Sequence, residues 1–439
     1  MNTEKNKIIW IGLKKHSKDK LEVSTELDWG ITEFTLLGID FSVNLNDMLE
    51  LNYNKAYTKI QKGIASWNKR RLTPLGKITV IKTFLISQLN HIFLSLPLPI
   101  KSFLQKMKDL LYKFLWDNKP DKIKRAVVTQ DYKQGGLKML NIEKFILGLK
   151  ITWIRRLVRN PSSQWVTLFE SSVCKINKIT TFGSLYLELI KRNITNKFWI
   201  GVFDSWIAFT KIQEVKNNEE ILNSPLWYNH EISEYPFFLA RWHNAGISLV
   251  GQLINSNREI LSLNQIKEKF HTPTLQLFEY YRIRGLIKQF IKKHVLHANL
   301  IFLTPSIPSH IKILFKSPKG SQDFYKLLNI TDSELSVKTK WHNILNINID
   351  NETWTDIFKN CFSTVQDNTL KWFQYRVIFR ILGTRNLLFS MSINESPNCG
   401  FCNLEAENLQ HIFVECSKVT PFWHIIKMWV RTTLDIDLN

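Results

Sequence analysis

The densest chemistry on this chain lies in Cys399-Gly400-Phe401-Cys402, followed after eight residues by His411 and after four more by Cys416. Two thiolates separated by two residues bend around one ion as a knuckle, and a His and a Cys from the next segment close a tetrahedron, the donor set of structural zinc. Pro397 and Gly400 suit the tight turn. A redox Cys-x-x-Cys or buried free thiols are the plainer alternative, but neither needs His411 and Cys416 just downstream. With four protein ligands no coordination position stays open, so the expected Zn2+ folds the segment rather than catalysing. Phe413, Phe422, Trp423, Ile426 and Trp429 are expected to pack this module against its neighbour. Five cysteines in 439 residues make no disulfide framework and point to a reducing compartment.

A second cluster is cationic. Trp67-Asn68-Lys69-Arg70-Arg71 is followed by Lys77 and Lys82, and residues 51–100 contain no Asp or Glu. The net charge of +21 is unevenly spread: residues 1–50 carry −3, 51–160 carry +18 and 161–439 carry +6. A solubility coat mixes signs, whereas a concentrated basic region is the form expected of a footprint on phosphates. The cations then contact the backbone, while Trp67 either stacks on a base or simply closes the core at its helix end.

Enzyme signatures are absent from the sequence. There is no GxxxxGK[ST] loop, His230-Glu231 lacks the second His of an HExxH zinc site, and no two aspartates are adjacent. Two-metal phosphoryl transfer needs carboxylates converging on ions about 4 Å apart, and no obvious set offers itself. Asp40 ends a strand and reads as a surface or turn carboxylate. By its residues alone the chain reads as a binder.

The elements that must position these groups are mainly helical. With 15 Trp and only 16 Gly, a glycine-punctuated barrel is a poor fit. Residues 7–13 and 34–43 read as short strands. From Asn46 the period changes: Leu49, Tyr53, Ala56, Tyr57, Ile60, Ile64 and Trp67 make an amphipathic helix, capped by Asn44 or Asn46 and ended by Pro74 and Gly76. Further helices are predicted from Lys77 to Leu96, from Lys101 to Trp116, over 141–159, near 281–296 and near 366–383, with a turn at Gln134-Gly135-Gly136. On the 141–159 helix Phe145, Leu149, Trp153 and Leu157 form the apolar face, leaving Lys150, Arg155, Arg156 and Arg159 largely off it. Residues 83–100 are uncharged, but Gln88, Asn90, His91, Pro97 and Pro99 suit a bilayer poorly. Six lysines around a short apolar stretch in residues 1–20 do not make a signal peptide. A protein that is neither secreted nor membrane-bound is expected.

In this order the residues resemble the post-catalytic half of reverse transcriptases of non-LTR, LINE-type retrotransposons. The resemblance rests on Ile9-Trp10-Ile11-Gly12, Leu37-Gly38-Ile39, the run from Trp67 through Thr73-Pro74-Leu75-Gly76-Lys77-Ile78 to Ile81-Lys82-Thr83, Phe114-Leu115-Trp116, Gly135-Gly136-Leu137, and the closing Cys399/Cys402/His411/Cys416 with Phe422-Trp423. It implies a mainly α fold with a small β remnant, the end of a polymerase palm, in residues 1–45. A basic thumb-like domain over 46–160, a helical C-terminal region over 161–395 and a CCHC zinc-binding module over 396–439 complete it. The family copies its own RNA at a nicked chromosomal target, using the DNA end as primer, so RNA and DNA are the implied partners.

The family's fingers and paired metal-binding aspartates lie upstream of the matched residues. The expectation is therefore a truncated enzyme, inactive alone, whose Mg2+ chemistry belongs to an upstream catalytic half. A nuclear or cytoplasmic ribonucleoprotein is the implied location. The rival reading is a stand-alone or domesticated nucleic-acid-binding zinc protein with no polymerase role.

Overall fold

The computed structural model describes residues 32–212, 218–255, 257, 259–294, 308–316, 320–329 and 335–436. The expected strand over 7–13, with Ile9-Trp10-Ile11-Gly12, lies outside them. Among the described residues the protein is mostly helical, with one two-stranded sheet. The described residues divide into two compact units: those within 32–67, 82–110 and 140–329 form the first, and those within 68–81, 111–139 and 335–436 the second.

In the first unit, the single strand expected over 34–43 is a hairpin, β1 Glu33–Leu36 against β2 Ile39–Ser42. Leu37 and Gly38 both take positive φ, 50° and 78°, the backbone of a two-residue hairpin turn, and Phe34 stacks on Phe41 across the strands. Asp40 is buried rather than a surface carboxylate. It pairs with Lys55 at 2.7 Å, accepts from Thr35 at 2.6 Å, and is held below the usual carboxylate range first by Lys55 and then by Thr35. Asn52 donates to its carbonyl and accepts from its amide, tying β2 to the Leu45–Trp67 helix.

The core of this unit explains the tryptophan count. Trp206, Trp227 and Trp242 are fully buried, and Trp153, Trp165, Phe198 and Trp199 meet edge to face or stacked. The Ile142–Arg159 helix, capped by Asn141 through the Lys144 amide at 3.2 Å, packs on the Lys197–Ile212 and Ser321–Leu328 helices. Gly148 permits the latter approach, since a Cβ there would sit 3.1 Å from the Ser321 carbonyl. Lys150 departs from its expected exposed place and is fully buried. The buried stripe runs through Ile146, Leu149, Ile151 and Ile154, and Lys150 falls inside it.

In the second unit, Pro74 opens a helix instead of ending one. The preceding helix stops at Trp67, and Thr73 caps Pro74–Val80 by accepting the Gly76 amide, with Pro74 in the first turn, where its missing N–H costs nothing. Chain continuing from Val80 passes through a π turn, Ile81–Leu85, and a 3-10 turn, Ile86–Leu89, into Asn90–Ser95. The run Pro74–Ser95 is long and apolar enough to cross a membrane by composition, while Ile78, Val80, Leu85, Ile86, Leu89 and Phe93 are buried within the protein. Packing in the second unit brings the Asn351–Ser363 and Asn368–Ile378 helices onto the loop around Tyr132 and Gly135. Trp354, Phe358 and Val337 form a small core beside them.

Candidate metal centre and cationic surface

The four expected ligands come together. One ligating atom each from Cys399, Cys402, His411 and Cys416 lies within 4.8 Å of the others, and among the described residues this is the group of its kind. Zinc arms of about 2.3 Å to sulfur and about 2.0 Å to nitrogen imply tetrahedral edges of roughly 3.5–3.8 Å. The Cys399–Cys416 sulfur separation is 3.9 Å and Cys402 Sγ lies 3.4 Å from His411 Nε2, both near these edges, while the set as a whole spans up to 4.8 Å and would close by about 1 Å around an ion.

Local backbone builds it. The Cys399 amide donates to the Glu405 carbonyl at 2.7 Å, the Phe401 amide to Cys399 Sγ at 3.4 Å, and Asn403 turns the chain with φ 57°. Hydrogen bonds from the Leu404 and Glu405 amides pull the Cys402 thiol down to about 6, favouring the thiolate that binds metal. Burial instead raises Cys416. A single π turn, His411–Glu415, carries the chain from His411 to Cys416, whose amide donates to the His411 carbonyl at 2.9 Å.

Two acids escaped the sequence reading. Glu405 lies 3.1 Å from His411 Nδ1, which fixes the tautomer that leaves Nε2 facing the sulfurs. Buried Glu407 accepts the Gly400 amide at 3.0 Å and the Arg385 amide at 2.9 Å, holding the knuckle to the Arg385–Ser390 helix. An acid within a few residues of a Cys-x-x-Cys was the available signal, but spacing alone does not reveal which carboxylate turns inward.

Beyond the cage the packing expectation is overturned. Phe422, Trp423 and Trp429 are exposed, and the Thr420–Leu434 helix buries no side chain; of the five residues expected to pack, Phe413 and Ile426 alone are half-buried. The Trp423 indole donates to the Phe413 carbonyl.

The cationic residues fare differently from one another. Lys69, Arg70 and Arg71 are exposed, in the linker before Thr73. Lys77, expected beside them as a phosphate contact, is only 3% exposed, pairs with Asp117 and lies over the Phe114 ring. Its charge serves the interior of the second unit, because the capped helix turns position 77 inward. In the first unit, Lys82 is half-buried, and Trp67 is half-buried with its ring 5.2 Å from Phe84.

A clustered Cys3His donor set with all four positions supplied by protein is that of a structural zinc-binding module. Residues 335–423 match the family described as zinc-binding in reverse transcriptase. The match contains all four ligands.

Proposed function

We propose that this chain is the thumb and C-terminal zinc-binding part of a LINE-type retrotransposon reverse transcriptase. It grips RNA and DNA through its basic region while a structural Zn2+ holds the C-terminal fold. The observation that carries the reading is coincidence: the clustered Cys3His donor set falls inside the segment matching a reverse-transcriptase zinc-binding family. The charge of +18 over residues 51–160 and the exposure of Lys69, Arg70 and Arg71 support the nucleic-acid side. In this reading the protein serves target-primed reverse transcription within a ribonucleoprotein, in nucleus or cytoplasm. Polymerase chemistry, with its Mg2+ ions, belongs to the family's upstream catalytic half. This chain's own residues hold template and primer and, through Cys399, Cys402, His411 and Cys416, hold the metal.

The test is a salt series of binding to a labelled RNA–DNA hybrid, with bound zinc quantified on the same purified protein. About one zinc per chain and affinity falling steeply with salt are expected. In Cys402→Ser the zinc is lost and protease cleavage appears in the second unit, with the first unit still resistant. A folded, zinc-free wild type, or binding indifferent to salt, refutes the reading.

A further inference from the structure

The last turn and a half of the Ile142–Arg159 helix presents Arg155, Arg156 and Arg159 to one pocket of about 550 Å³ in the first unit. Thr152, Asn160 and Ser321 complete its polar side, and Leu94 and Leu149 line the rest. Each arginine is held from behind. Arg156 lies 4.7 Å over the Trp153 ring, Arg159 donates to the Phe315 carbonyl at 3.1 Å, and Arg155 passes under Gly320, where a Cβ would meet its Nη1 at 2.7 Å.

Cations at a helix C-terminus are favoured by the backbone dipole, which accounts for their presence. It does not account for the pocket between them, nor for the Nε of Arg155, which is buried without a hydrogen-bond partner. Burial and the like charge of Arg159, four residues away, hold the Arg155 guanidinium below its ordinary value against the pull of Asp323. Two like charges on one face repel. An oxyanion between them would relieve the repulsion and accept from the exposed guanidinium edges of Arg156 and Arg159, although the buried Nε of Arg155 lies beyond its reach.

We propose that Arg155, Arg156 and Arg159 form a phosphate-binding pocket, with Asn160 and Ser321 as neutral donors around it, the Thr152 hydroxyl being already committed to the Leu149 carbonyl at 2.6 Å. The pocket stands on its own geometry; that the phosphate belongs to a polynucleotide backbone rests on the proposed function above.

The experiment uses the 439-residue chain and two probes, inorganic phosphate and a labelled single-stranded RNA, with calorimetry for the first and a salt series for the second. In R155Q/R159Q phosphate affinity falls at least about tenfold, and the RNA salt slope shrinks by about 1–2 if one or two backbone phosphates sit there. Should that variant melt early, Asn160→Asp, an exposed position at the rim, places a negative charge by the pocket and predicts the same losses. Weakening of both probes identifies a backbone phosphate. Loss of phosphate binding with RNA binding unchanged identifies a small free phosphate instead. If wild type fails to bind RNA while the variants lose phosphate, the nucleic-acid reading falls and the pocket stands. Unchanged binding of both probes in folded variants overturns the pocket.

Discussion

Lys150 is a charge buried in the first unit's helical core with no acid beside it among the described residues. Its ammonium donates to the carbonyls of Leu94, at 3.2 Å, and Leu96, and sits 4.4 Å from the Phe198 ring, while burial pulls its pKa down to about 7. The unfolded chain, titrating near 10.5, therefore binds more protons than the folded one between pH 7 and 10.5. Stability attributable to this residue rises with pH across that window, by at most about 1.4 kcal/mol per unit, and is lost as pH falls back through about 7. Lys150→Met is expected to flatten the rise in urea midpoint between pH 7 and 9; an identical rise in wild type and variant refutes the assignment. Sequence periodicity set the inward face at Phe145, Leu149, Trp153 and Leu157, whereas packing on two helices buries a wider stripe through Ile146, Ile151 and Ile154 that takes in Lys150, so its burial was not legible. Cys399 and its partners were legible because metal ligation constrains residue type and spacing together.

At the scale of elements, Gly135 and Gly136 do more than turn the chain. Gly135 takes φ 75°, and a Cβ on it would meet Leu335, Phe379 and Phe358, while its carbonyl accepts from the Tyr375 hydroxyl at 2.9 Å. A Cβ on Gly136 would sit 2.1 Å from the Gln130 carbonyl oxygen, a collision with backbone that no rotamer relieves. Gly136→Ala should destabilise the second unit by several kcal/mol, in the range of large backbone effects. Faster proteolysis and zinc release on heating would show it, whereas a wild-type melting curve would exclude it. Helix existence was legible here: Lys101–Leu115, Ile142–Arg159, Leu277–His294 and Asn368–Ile378 fall where periodicity placed them. Boundaries were not always so. Pro74 is as compatible with starting a helix as with stopping one, and the Thr73 cap decides; Leu37-Gly38 reverses a strand that its composition alone would prolong.

Over the whole molecule, charge and connectivity separate. The basic residues cluster between 51 and 160, yet that stretch contributes to both units, since 68–81 and 111–139 fold with 335–436. Being basic does not make a residue available: Lys77 is consumed by Asp117, Lys150 by carbonyls, while Lys69, Arg70 and Arg71 stay at the surface. Replacing Lys69, Arg70 and Arg71 together by Ala should weaken hybrid binding across sequences and reduce the salt slope by about 2–3, one phosphate for each. Lys77→Ala should leave the slope nearly unchanged and lower the melting temperature. Reversal of these two effects would exchange their roles.

The amino-acid sequence by itself determined the zinc-type ligand set, the helical class and the sign and location of the charge, because each depends on residue type or on short-range period. Tertiary structure alone decided that Glu405 orients His411, that Lys77 and Lys150 turn inward, that Phe422, Trp423 and Trp429 stay exposed, and that Arg155, Arg156 and Arg159 enclose a pocket. Those outcomes depend on which helix face meets which neighbour, a choice made by packing between residues up to hundreds of positions apart.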